Sequence, residues 1–344
     1  MVVSNDTQVL LDLLPLDLLQ KIENRTEDLF EIVLDRGRQP YAWVGNQERI
    51  YLGSNDERLV EWEDIDGIIE NLGGFGPDNR AGLEKQLHRI SAMRNRSDTI
   101  IGLTMRVGRH VAGNANLIAD HILGDTMKSI LVMGEPGSGK TTVIREVTRL
   151  LAEHANVCIV DTSNEIAGDG DIPHPCIGRA RRMMVRSLNE QANVMVECVQ
   201  NHTPEVMVID EIGRANEVEA SRTCKERGVR LVASAHGDFR KLLKNPKLRG
   251  LVGGIETVTV GDANARKDSN GVLSKLLPQR MGTPVFDVIV ELRRNQLHEW
   301  NVIRNVADAV DHVLDRTPYY YEIRTRNAET GSIQISIVSS HADH

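Results

Sequence analysis

Gly134-Glu135-Pro136-Gly137-Ser138-Gly139-Lys140-Thr141 reads G-x-x-x-x-G-K-T, between an apolar run SILVM (129–133) and a helix-forming stretch at 140–153. No other feature restricts the fold as much. A glycine-rich turn that leaves a strand and opens a helix turns its backbone N–H groups toward an anion, and the helix N-terminus adds its dipole. In this pattern Gly134, Glu135, Pro136, Gly137, Ser138 and Gly139 wrap the β-phosphate of a nucleotide. Lys140 bridges the β- and γ-phosphates, Thr141 holds Mg²⁺ through its hydroxyl, and Thr142 faces the α-phosphate.

The surrounding sequence supplies the sheet such a loop requires. The runs SILVM (129–133), NVCIVD (156–161), EVMVID (205–210) and VRLVASA (229–235) alternate with helical stretches at 140–153, 188–202 and 215–227. Continuously apolar strands alternating with helices predict a parallel sheet covered on both faces. Gly228 is the expected stop of the third helix. The weaker runs 257–260 and 285–291 read as an edge or a terminal hairpin. From Gly76 to Val285 the only aromatic residue is Phe239, so this core is built from Val, Ile, Leu, Met and Ala. The same gap leaves an adenine base with aliphatic or backbone contacts.

Upstream, residues 8–24 read as an amphipathic helix or a helix pair broken near Pro15, and strand-like runs follow at 29–34 and 41–44 around the basic turn RGRQP. Asn55 or Asp56 caps a helix running to Leu72. A further helix is expected at 83–93 and a strand at 100–107. The chain of 344 residues thus divides into a small α+β domain at 1–108, an α/β P-loop NTPase core of RecA/AAA-like type at 109–304, and a helix with a β-hairpin at 305–344. No apolar run reaches the ~18 residues of a membrane span, and the acidic first 25 residues fit neither a secretory nor a transit leader. A net charge of −8 argues against non-specific nucleic-acid binding by overall charge. Cys158, Cys176, Cys198 and Cys224 lack the close spacing of a zinc site and read as buried free thiols.

Two acids end the strand at 205–210. Asp210 reaches the Mg²⁺ shell, and Glu211 polarises an attacking water, a role that a small-molecule kinase does not need. No N-K-x-D base-recognition motif is present, so ATP hydrolysis is favoured over GTP hydrolysis. The strand at 229–235 runs into His236, which either senses the γ-phosphate or merely packs or caps the next helix; Ser234 is the second choice for sensor. The long segment DTSNEIAGDGDIPHPCIGRARRMMVRS reads as a loop at the catalytic edge of the sheet. In it, Asp161 and Glu165 orient Mg²⁺ or water. Arg179, Arg181, Arg182 and Arg186, with Arg214 after the acid pair, are arginines able to complete a neighbouring subunit's site, or to make ordinary surface ion pairs.

DTSNEIAGDGDIPHPCIGRARRMMV, VIDEIG and ASAHG, together with the P-loop, resemble the stage III sporulation protein AA-like ATPases, above all their cyanobacterial and plastid-encoded relatives. The likeness is densest over 100–300 and continues weakly through IIGLTMRVGRHVAG. It implies a core similar to type II and type IV secretion ATPases: an Mg²⁺- and ATP-dependent motor assembled as a homo-oligomeric ring, usually a hexamer. Arg106 and Arg109 match an N-terminal strand that contributes arginines to an adjacent nucleotide. Longer relatives continue into an Arg-x-x-x-His nucleic-acid-binding module, no copy of which is legible here. Three functions stay open: an ATPase motor acting on a macromolecular partner, a nucleic-acid-dependent ATPase, and a non-catalytic ATP-binding switch. The compartment implied is a bacterial cytoplasm or a plastid stroma.

Overall fold

The computed structural model describes residues 2–4, 6–45, 48–53, 55, 57–124, 128–259, 261, 266–267, 273–327 and 329–340; Asp56 and Val260 lie outside them. The chain forms two compact units, Met1–Gly113 with Asn164–Ile177, and Asn114–Ser163 with Gly178–His344.

In the first unit, Pro15 separates two short helices, Thr7–Leu11 and Leu16–Leu19. Six antiparallel strands follow in the order Glu48–Tyr51, Tyr41–Val44, Leu29–Asp35, Ile100–Arg106, Arg89–Arg94 and Arg80–Gly82. Alternation assigns the faces. Ile32, Leu34, Ala42, Val44, Ile90, Leu103 and Met105 point into a core with Leu10, Leu18, Ile65 and Ile68. The opposite face carries Tyr41, Trp43, Arg49 and Tyr51, where the Arg49 guanidinium lies 4.6 Å from the centroids of both the Tyr41 and Trp43 rings. The helix expected to run to Leu72 is Trp62–Ile69. Its start is set by Asp64, which accepts from the Glu61 N–H at 2.8 Å and takes both guanidinium nitrogens of Arg58.

No helix forms over 83–93. The period of two in Arg89-Ile90-Ser91-Ala92, with Ile90 buried, makes this the strand Arg89–Arg94, and residues 83–87 serve as a bed for Asn164–Ile177. The Glu84 carboxylate accepts the N–H groups of Asp171 (2.9 Å) and Ile172 (2.6 Å), and Lys85 N–H donates to Ile172 O at 3.0 Å. Gly168 makes this approach achievable: its φ is +84°, and a Cβ there would lie 2.1 Å from Gln86 O.

The second unit is built on nine strands ordered Arg181–Met184, Val157–Asp161, Val206–Glu211, Arg230–His236, Ile130–Gly134, Val288–Leu292, Glu299–Ile303, Tyr320–Arg326 and Ile333–Ser339. Neighbours among the first six pair in parallel and the last three are added antiparallel. The helices Lys140–Leu151, Gln191–His202 and Ala215–Glu226 cover it. This is a P-loop α/β fold. Its core on one face runs from Leu131 and Met133 through Met207 and Leu231 to Phe239 and Phe286, and all four cysteines are buried free thiols.

In this unit two placements differ from the sequence expectation. Val288–Leu292 is an interior strand parallel to the P-loop strand, because its Val-Ile-Val run is apolar on both faces. Arg181–Met184 is an edge strand rather than loop. The helix and hairpin expected at 305–344 form as Val306–Leu314 and Tyr320–Arg326 with Ile333–Ser339, and the hairpin continues the main sheet.

Arg324, 1 % exposed, anchors that hairpin. Its guanidinium donates to Leu117 O (2.7 Å), Asp120 (2.5 and 2.9 Å) and Glu322 (2.7 Å). Removing the guanidinium takes its donor from the buried Leu117 carbonyl and leaves the buried Glu322 carboxylate with Arg304 alone. Arg324→Ala is therefore expected to lose about 3 kcal/mol of stability, read from the urea midpoint.

Candidate functional site

All the residues of this site belong to the second unit. Ile130–Gly134 is wholly buried, and the chain leaves it into a turn with Gly137 at φ +77° and Gly139 at φ +92°. Gly139 is the N-cap of Lys140–Leu151, in the left-handed region where a side chain would be strained. Gly134 is required for space, because a Cβ would stand 2.4 Å from Ser138 Oγ and 2.7 Å from Leu292 O. Ser138 Oγ is buried and has no hydrogen-bond partner among the described residues. Its hydroxyl and the loop N–H groups form a donor set suited to phosphate oxygens.

The Lys140 ammonium folds over the loop, donating to Gly134 O (2.9 Å) and Glu135 O (3.2 Å), and stands 3.4 Å from His236 Nδ1. His236 reaches this point because Arg230–His236 lies between the P-loop strand and the acid strand, in a register that sets His236 opposite Gly134. The other ring nitrogen, Nε2, is 3.0 Å from Glu211 Oε1. Lys140, His236 and Glu211 thus form a continuous polar row.

The acid strand carries a bulge that helps place its two carboxylates. Its ladder with Arg230–His236 slips between Ile209 and Glu211, so consecutive acids are re-aimed. Asp210 is buried and accepts the Ser163 N–H at 3.2 Å, while the Ser234 hydroxyl donates to its carbonyl. Ser234 therefore serves the backbone of the acid pair. Thr141 lies in the first turn of the P-loop helix, so a hydroxyl and a carboxylate of the kind that take Mg²⁺ are both present. Glu217, buried, accepts the N–H groups of Gly213 (2.7 Å) and Arg214 (2.9 Å) and caps Ala215–Glu226. Burial raises its carboxyl above the usual carboxylate range, against the pull of these two N–H donors.

The remaining sequence candidates are placed as follows. Glu165 lies in the first unit, 3.0 Å from Arg89. Arg106, also there, is exposed and pairs with Glu31 at 2.8 Å. Arg109 donates to Glu27 O (2.7 Å) and Leu29 O (2.6 Å), and burial lowers its pKa. Arg179 is exposed, and Arg182 is half-buried on the edge strand. Arg214 donates to Leu188 O and lies 3.8 Å from Glu217.

Gln191 is a residue the sequence reading missed. Buried in the first turn of its helix, it donates to Glu211 O (2.8 Å) and accepts from Thr162 Oγ1 (2.6 Å). A glutamine starting an amphipathic helix gives no pattern signal, because its partners lie on two other elements. Gln191→Leu leaves both groups unpaired and is expected to cost about 2 kcal/mol, read from the urea midpoint.

The family model described as Sporulation stage III, protein AA matches residues 83–258. The uncharacterized protein ycf45 of Porphyra purpurea is 46% identical over 321 residues, covering 91% of this chain and 54% of that protein. Protein SEEDLING PLASTID DEVELOPMENT 1 of Arabidopsis thaliana is 47% identical over 306 residues, covering 88% of this chain and 43% of that protein. The chain thus spans about half the length of these curated relatives. Among solved structures, the pilus retraction motor PilT with bound ADP aligns over 82% of this chain and 86% of its own, with 16% identity and a TM-score of 0.49. Among the described residues no helix is long and apolar enough to cross a membrane.

Proposed function

The chain belongs to the stage III sporulation protein AA family, and on that premise we propose that it is an ATP-hydrolysing motor, working as a homo-oligomeric ring on a macromolecular partner. The observation that carries this reading is the polar row Lys140–His236–Glu211 beside a phosphate-shaped loop. A hydrolase needs a carboxylate to take a proton from water, and a pure binding switch does not.

In this reading the loop N–H groups, Ser138 Oγ and Lys140 bind the triphosphate. Thr141 and Asp210 would hold Mg²⁺, which neutralises phosphate charge when bound. Glu211 takes the proton of the attacking water, and its carboxylate is oriented by the His236 ring. His236 also faces the Lys140 ammonium, so contact of Lys140 with a γ-phosphate is relayed to Glu211 through one imidazole. For completion of a site in trans, exposure favours Arg106 and Arg179. Arg109 and Arg214 are engaged by carbonyls of their own subunit. Glu165, paired with Arg89 in the first unit, is retained in this reading as the notional orienter of Mg²⁺ or water. The name of the Arabidopsis relative ties that protein to plastid development, and we carry a plastid location to this chain as part of the proposal.

A nucleic-acid-dependent ATPase is the second reading. The surface Tyr41, Trp43, Arg49 and Tyr51 favours it, because aromatic rings flanked by a guanidinium suit unpaired bases.

Lys140→Ala is expected to abolish ATP binding, and Glu211→Gln to bind ATP while turnover falls by about 10²–10⁴-fold. Nucleotide-binding titrations and steady-state phosphate release check both, and unchanged turnover in Glu211→Gln would overturn the assignment. Specific activity is expected to rise with protein concentration as the ring assembles. Stimulation by single-stranded DNA or RNA that fades with added salt would instead favour the second reading.

A further inference from the structure

A nucleoside triphosphate bound with its γ-phosphate at Glu211 and His236 has to send its base away from them. In the sheet order, the acid strand and the His236 strand lie on one side of Ile130–Gly134, and Val288–Leu292 lies on the other. The nucleoside end therefore emerges toward Val288–Leu292 and the loop after it, residues 293–298.

That loop runs alongside the P-loop. Arg293 and Arg294, at its start, line a cleft of about 450 Å³ together with Gly134 and Glu135. Leu297, near its end, brings Cδ2 to 3.9 Å from the Cβ position of Gly139. The loop has a defined shape. Asn295 takes a positive φ of 66°, Gln296 N–H donates to Arg293 O at 3.2 Å, and Arg326 N–H donates to His298 O at 2.8 Å. Leu297 is nonetheless 62 % exposed, an apolar side chain held at the mouth of a polar site. Phe239 and Phe286 of the surrounding core are fully buried, and Phe239 packs edge-on against the buried Tyr319, so none of the three offers a ring to a base.

We propose that Leu297 is the nucleobase platform of the P-loop site, covering one face of a purine while the loop beneath holds the phosphates. This deepens the nucleotide reading above and rests on it. An aliphatic platform contacts a ring face and reads no exocyclic group. It therefore contributes affinity for the base without choosing adenine over guanine.

The test compares ATP with inorganic tripolyphosphate, which has the phosphates and no base, by calorimetric titration of the full chain. Leu297→Ser is expected to weaken ATP by about five- to tenfold, the scale of half-burying one leucine, and to leave tripolyphosphate unchanged. Leu297→Phe, which widens the platform, is expected to bind ATP at least as tightly as the native chain. Unchanged ATP affinity in Leu297→Ser, or equal weakening of both ligands, overturns the platform while leaving the phosphate site standing. If Lys140→Ala binds both ligands as the native chain does, the phosphate site itself is refuted and the platform falls with it.

Discussion

The site depends on one hydrogen-bonded ladder. Arg230–His236 is inserted between the P-loop strand and the acid strand, and its parallel register sets His236 against Gly134 and Ser234 against Glu211. Lys140, His236, Asp210 and Glu211 are therefore gathered at the same end of the sheet, at heights set by backbone pairing. The bulge between Ile209 and Glu211 adjusts that height by one residue, so that the buried Asp210 and the more exposed Glu211 occupy different environments.

The segment from Asp161 to Ile177 is divided between the two units. Asp161 closes a strand of the second unit and Ser163 donates to Asp210, whereas Asn164–Ile177 belongs to the first unit. There the glycine pattern in AGDGD is explained by packing, since Gly168 allows one backbone to lie against another where a side chain would collide. The acids in this segment look catalytic in sequence. In space Glu165 answers Arg89, and Glu84 takes the backbone N–H groups of Asp171 and Ile172.

Sequence patterns succeeded where one local rule governs. The strands around the P-loop, the helices at 140–151, 191–202 and 215–226 and the terminal hairpin all follow from apolar runs, helical spacing and punctuating glycines. They failed where two signals competed. Over 83–93 the apolar spacing fits a helix for its first half and a strand for its second, and sheet pairing decides. The run at 285–291 is apolar enough for a central strand but stands far along the chain from the other parallel strands. Its pairing with Ile130–Gly134 is a long-range choice that no local window contains. Gln191 and Leu297 were illegible for the same reason, because each acquires meaning from a neighbour more than a dozen residues away.

The sequence by itself determined that a phosphate-binding turn stands on a parallel sheet, that two acids end a second strand, and that the core around them is aliphatic. These are properties of contiguous residues, and backbone sterics and burial act on them locally. Only the tertiary structure decided that His236 bridges Lys140 and Glu211, that Val288–Leu292 flanks the P-loop strand, and that a buried Arg324 binds the last hairpin into the sheet. Strand order and register arise from how all the apolar faces are buried at once. That is a global minimum over distant segments, and no single stretch of the chain encodes it.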